Sequence, residues 1–153
     1  MSIKRFTSIL VVLFFCMQLP AQKLSKAEKK LVKTVEANNP EAITFLENVV
    51  NINSGTLNAE GVKEVGMVFK NAFENIDFET SWIEMPEEMN RAGHLFAETE
   101  GKKGKKLLLI GHLDTVFEEN SPFQEFERVN DSIAHAPGGN DMKGGDVIVL
   151  YAL

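Results

Sequence analysis

A chain of 153 residues, 44% hydrophobic and 25% charged, is long enough for one domain with a real core and too short for two large ones. Its formal net charge of −6 excludes a general nucleic-acid partner, which would call for a basic face to meet phosphates. The densest basic run, Lys102, Lys103, Lys105 and Lys106, is interleaved with Gly101 and Gly104 and reads as a solvated hairpin turn.

The N-terminus carries an address. Lys4 and Arg5 precede an apolar segment over residues 9–17, followed by Leu19-Pro20-Ala21-Gln22. That is a basic n-region, a short h-region and a small residue at a cleavage point, so residues 1–21 are expected to be a signal peptide. The apolar run is too short to span a bilayer comfortably, and export to the periplasm or the exterior follows. Cleavage after Ala21 also removes Cys16, the single cysteine, and with it any cysteine nucleophile, thiolate ligand or disulfide. Residues 22–153 are then the mature chain.

Ser25-Lys26-Ala27-Glu28 has capping-box spacing and predicts a helix through Leu31, Val32 and Val35. Asn38 and Asn39 are expected to interrupt it. Pro40 then opens a second helix capped by Asn39, with Ile43, Leu46 and Val50 on one face and Ala42, Phe45 and Val49 beside them. Residues 51–56 form a loop by composition. The clearest helical period follows: Val62, Val65, Phe69, Ala72, Phe73 and Ile76. From Phe78 the pattern alternates through Thr80 and Trp82, a half-buried strand, and residues 94–98 read as another. Residues 126–129 and 132–135 look like a hairpin around Asn130-Asp131. An apolar, helix-like segment begins after Lys143.

The chemistry concentrates between Lys105 and Tyr151. The continuous apolar run Leu107-Leu108-Leu109-Ile110 reads as a strand buried on both faces, ending at Gly111. His112 and Asp114, two apart in extended chain, project together from its carboxyl end, where ligands bind in open α/β sheets, and Leu113 turns into the core. An imidazole is a good zinc ligand, and a neighbouring carboxylate can accept its other ring N–H and fix its tautomer. Further on, Pro137-Gly138-Gly139-Asn140-Asp141-Met142-Lys143-Gly144-Gly145 places an acid in a glycine-rich loop, where a carboxylate can offer one oxygen to each of two metal ions. Each motif alone has a common structural explanation, a strand-end histidine bonded to backbone or an aspartate N-cap. The combination is what points to a metal site. His94 and His135 lie outside it and read as ordinary sheet histidines.

That combination resembles the co-catalytic zinc peptidases and amidohydrolases, which include glutamate carboxypeptidase, acetylornithine deacetylase, succinyl-diaminopimelate desuccinylase and aminoacylase. The segments Asn51-Ile52-Asn53-Ser54-Gly55-Thr56, Arg91-Ala92-Gly93-His94-Leu95 and Gly111-His112-Leu113-Asp114-Thr115-Val116 look most like the glutamate-carboxypeptidase branch. The resemblance implies an α/β fold, the N-terminal part of a three-layer catalytic domain with a mixed sheet between helices. It implies that His112 binds one metal, that Asp141 bridges two, and that Asp114 is the catalytic-site carboxylate orienting His112. A cis peptide at Asp141–Met142 comes with it. So do two zinc ions, with cobalt or manganese as substitutes, and hydrolysis of an amide in a peptide or N-acyl amino acid. A homodimer formed through an inserted domain is the family's habit. The Glu-Glu pair, further acid and late histidine of the family have no match up to Leu153, because Glu87-Glu88 and Glu118-Glu119 precede Asp141. The expectation is therefore an incomplete zinc exopeptidase, inactive as this chain alone. A deacetylase or aminoacylase of the same family, or a short non-catalytic relic, are the alternatives.

Overall fold

The structure, a computed structural model, describes residues 23–101 and 103–153. The expected signal peptide, residues 1–21, lies outside the described residues. Among those described, no helix is long and apolar enough to cross a membrane. The described residues divide into two units, the first ending at Ala37 and the second Asn38–Leu153.

Helix α1 (Lys26–Val50) begins at the expected capping box: Ser25 N donates to Glu28 Oε2 at 2.6 Å, and Glu28 N donates to Ser25 Oγ at 3.2 Å. The expected break at residues 38–39 does not occur, and Pro40 lies inside the helix. Proline removes one backbone N–H but keeps a helical φ. Residues 31–40 are all exposed, so water can satisfy the carbonyl left without a donor. Beyond Pro40 the helix is held by its apolar face, with Val49 and Val50 fully buried and Ala42, Phe45 and Leu46 packed on the core.

Helix α2 (Ala59–Glu74) starts at Asn58, whose side chain accepts from Gly61 N at 3.0 Å. It buries Val62, Val65 and Phe69, as its period predicts. Strands β1 (Glu79–Ile83) and β2 (His94–Glu98) pair antiparallel with Trp82 opposite Leu95, both with the alternating half-burial expected of them. His94 is exposed, opposite Ile83. Strands β3 (Glu127–Asn130) and β4 (Ile133–His135) form the expected hairpin, and helix α3 (Gly144–Ala152) buries Val147 and Leu150. Val49, Val65, Phe69, Val147 and Leu150 make the core where α1, α2 and α3 meet, with Phe45 edge-on to Phe69 at 5.3 Å. Leu113 packs against it, as expected.

Helices with small sheets make this an α/β fold. The pairing differs from expectation at one place. Leu107, Leu108, Leu109 and Ile110 are 82%, 78%, 50% and 81% exposed and pair with no strand among the described residues. An apolar run becomes a buried strand only with a ladder at its edge and covers on its faces. Among the described residues the one parallel pairing, Gly55 with Thr115, lies beyond its end. Replacing Phe69 with Ala removes the largest fully buried side chain and should cost about 3–5 kcal/mol, read as a lower urea midpoint.

Candidate functional site

The site is built where two segments about sixty positions apart zip together. Thr115 N donates to Ser54 O at 2.8 Å, and Thr56 N donates to Thr115 O at 3.0 Å. Ser54 is 1% exposed and its Oγ donates to Leu113 O at 2.9 Å. This clamp fixes the backbone from which His112 and Asp114 project.

His112 and Asp114 stand together as predicted, but the closest contact between them is to backbone. His112 Nδ1 lies 3.0 Å from the Asp114 carbonyl oxygen and 3.4 Å from Asp114 Oδ1. Both are acceptors, so Nδ1 carries the hydrogen and the tautomer is set. Asp114 is itself held: Thr56 Oγ1 donates to its Oδ2 at 2.6 Å.

Asp141 arrives from the other side. The turn Gly139–Lys143 leads into α3, with Asp141 and Met142 in non-helical backbone and a cis peptide between them. Gly138 precedes it at φ +70°, where a Cβ would also meet Thr115 Cγ2 at 2.3 Å, so only glycine fits. Asp141 Oδ1 lies 3.0 Å from His112 Nε2, a contact spanning 29 positions of chain. With Nδ1 already protonated, a neutral imidazole would point a lone pair at the carboxylate. Two acceptors at that distance need a cation between them, and in the protein alone a proton fills the place. Burial alone would lower the His112 pKa, but hydrogen bonds to Asp141 and the Asp114 carbonyl, with the charges of both aspartates, raise it above its ordinary value.

These residues open on a cavity of about 330 Å3, within the range of small-ligand sites. Its far wall carries Val116, Phe117 and Phe123, the two rings edge-to-face at 5.0 Å. Asn53 and Gln124 hold the loop that bears them. Asn53 Nδ2 donates to Phe117 O and to Gln124 Oε1, and Gln124 Nε2 donates to Glu118 O and Ser121 O.

The donor set fits a zinc ion in kind, an imidazole nitrogen and a carboxylate oxygen facing each other. It falls short in number. Among the described residues no group of three or more His, Cys, Asp or Glu side chains could hold a metal ion, where zinc takes three or four protein ligands. His135 is elsewhere, on the hairpin, 3.6 Å from Glu127.

Three contributors escape a reading of the sequence. Thr56 sits in a segment that reads as a loop and shares the family resemblance, but neither assigns its hydroxyl a role. Lys143 is 1% exposed, with Nζ on the carbonyls of Val49 and Ile52, and its burial lowers its pKa to about 8. Asp146 lies so close beneath Gly111 that a Cβ there would be 2.0 Å from its Oδ1. Its Oδ2 is buried without a hydrogen-bond partner, and burial pushes its pKa up to about 6, slightly opposed by the charge of His112. Hydrophobic neighbours in the chain give no warning that either charge turns inward.

Two tests follow from this geometry. Replacing Thr56 with Val strips a charge-assisted bond from Asp114 and should lower stability by about 1.5–3 kcal/mol in urea unfolding. For Asp146 the folded pKa lies above the unfolded value of 3.8, so the native state holds more protons between that value and about 6. Stability therefore falls as pH rises through this window, and the penalty is complete above it. Asp146→Asn in the metal-free protein should raise the unfolding free energy by up to about 3 kcal/mol near pH 7.5 and change it little near pH 4. Denaturant melts at the two pH values read the difference directly.

No family model matches the chain. The chain is similar to Carboxypeptidase G2 of Pseudomonas sp. (strain RS-16), with 30% identity over 128 residues, which are 84% of this chain and 31% of that protein. The chain thus spans about a third of the length of the curated relative it matches.

Proposed function

We propose that this chain is the N-terminal portion of a carboxypeptidase-like metallohydrolase, and that His112 and Asp141 are its share of a zinc site whose other ligands lie outside residues 23–153. The observation that carries the reading is the 3.0 Å approach of Asp141 Oδ1 to a His112 Nε2 whose opposite nitrogen is already occupied by acceptors. That is a ligand pair arranged for a cation, at the mouth of a cavity of small-ligand size. The likeness to a carboxypeptidase supports amide hydrolysis as the reaction.

The substrate we infer is a peptide or N-acyl amino acid with a free carboxylate beside the scissile amide. Zinc, once bound, would supply Lewis-acid polarisation of the carbonyl and a nucleophilic water near neutral pH, cobalt or manganese serving as substitutes. The chain's own residues bind and orient. The Asp114 carbonyl and carboxylate keep Nδ1–H in place, Thr56 holds Asp114, and Asp141 presents its carboxylate to Nε2. In this reading Asp114 is the orienting carboxylate, and the two aspartates are acceptors that leave the proton-transfer role to a residue elsewhere. Export through residues 1–21 and a homodimer of the whole enzyme complete the proposal.

In the protein that carries this chain, Asp141→Ala should abolish amide hydrolysis and lower bound zinc, measured by a peptidase assay and by metal content after dialysis. Retained hydrolysis would sink the assignment.

A further inference from the structure

Helix α1 ends at Val50 and, like any α-helix, leaves its last carbonyls without intrahelical donors and with partial negative charge. Its last turn contains no basic residue. The charge that meets this end comes from far along the chain: Lys143 Nζ donates to Val49 O at 2.7 Å and to Ile52 O at 3.0 Å. Both partners are neutral, and the side chain is 1% exposed. Stripping an ammonium of water for two neutral carbonyls is expensive, but Val49 is 0% exposed, so its carbonyl has no access to water and takes its donor from the lysine. Capping explains the two bonds but not which other part of the chain they fix.

The connections of Lys143 do. Lys143 lies two residues after Asp141. Ile52 lies two residues before Ser54 and four before Thr56, which clamp Leu113, Thr115 and the Asp114 carboxylate. The backbone bonds of the Asp141 turn are local, from Gly139 N to Ala136 O and from Lys143 N to Gly138 O. Among the described residues, the side-chain bonds that tie this turn to distant chain are the Asp141–His112 contact itself and the two made by Lys143. Lys143 does not line the cavity.

We propose that Lys143 is a positioning residue of the site: by docking the Asp141 turn on the exit of α1, it sets the approach of the Asp141 carboxylate to His112 Nε2. The proposal rests on reading His112 and Asp141 as the metal-binding pair. It adds that their separation is held by a buried cation that touches neither metal nor substrate.

The test is Lys143→Met in the protein that carries this chain, a substitution that keeps a long unbranched side chain in the core and deletes the ammonium. A crystal structure of the metal-free variant should keep the core of α1, α2 and α3, with Asp141 Oδ1 moved beyond about 3.5 Å from His112 Nε2. Zinc titrated calorimetrically should bind about 10–100-fold more weakly than to the unsubstituted protein. The thermal midpoint is set by two opposed effects, a desolvated charge lost and two carbonyls left without their donor, so the deciding readouts are the Asp141–His112 distance and the zinc affinity. A merely structural lysine would leave the contact and the zinc affinity intact whatever the midpoint does. An unmoved Asp141, zinc affinity unchanged, or failure of the variant to fold would each overturn the proposal. If the unsubstituted protein takes up no zinc, the metal reading fails, and the Asp141–His112 distance in the variant still decides the role of Lys143.

Discussion

Ser54, Gly55 and Thr56 run alongside Leu113, Asp114 and Thr115, and the site depends on that short parallel contact. Two backbone bonds and the buried Ser54 hydroxyl stitch the exit of α1 to the segment that bears His112. The same contact delivers the Thr56 hydroxyl to Asp114. Glu118, three residues past Thr115, leaves room only for a glycine at position 55, where a Cβ would fall 2.8 Å from its backbone. Loosening the contact would free the directions of His112 and Asp114 together, since Asp114 lies within the clamped stretch and His112 directly before it.

Electrostatics complete what the clamp begins. His112 is held between two acceptors, the Asp114 carbonyl on one nitrogen and the Asp141 carboxylate on the other. That arrangement is stable only when a positive charge sits between imidazole and carboxylate, which is why the histidine holds its proton more tightly than usual. A metal ion would occupy the same electrostatic place. The side chains of His112 and Asp141 are 44% and 85% exposed, so an ion or a substrate could reach them from solvent.

Beneath the exposed pair lie charges of a different kind. The turn ahead of α3 sends Lys143 toward the end of α1, and Asp146, in the first turn of α3, lies against Gly111, just ahead of His112. Neither is matched by an opposite charge in hydrogen-bond contact, and their pKa values are displaced toward the neutral form by burial. Strain of this sort is tolerated where geometry matters more than stability. The helix that supplies the core residues Val147 and Leu150 thus begins as part of the site's support.

Local interactions were legible in the sequence because they depend on neighbours a few positions apart. The capping box at Ser25 and Glu28, the period of α2, the alternation of β1 and β2 and the hairpin at Asn130 all formed where expected. So did the juxtaposition of His112 with Asp114, a consequence of two-residue alternation in extended chain. The continuity of α1 through Pro40 was not legible, because burial of the face beyond it overrode a local break signal. Nor was the exposure of residues 107–110, because an apolar run does not state whether a strand will lie beside it. The roles of Thr56, Lys143 and Asp146 were decided by the tertiary structure alone. Their neighbours lie 58, 94 and 35 positions away, and only the packing of α1, α3 and the His112 segment brings those groups into contact.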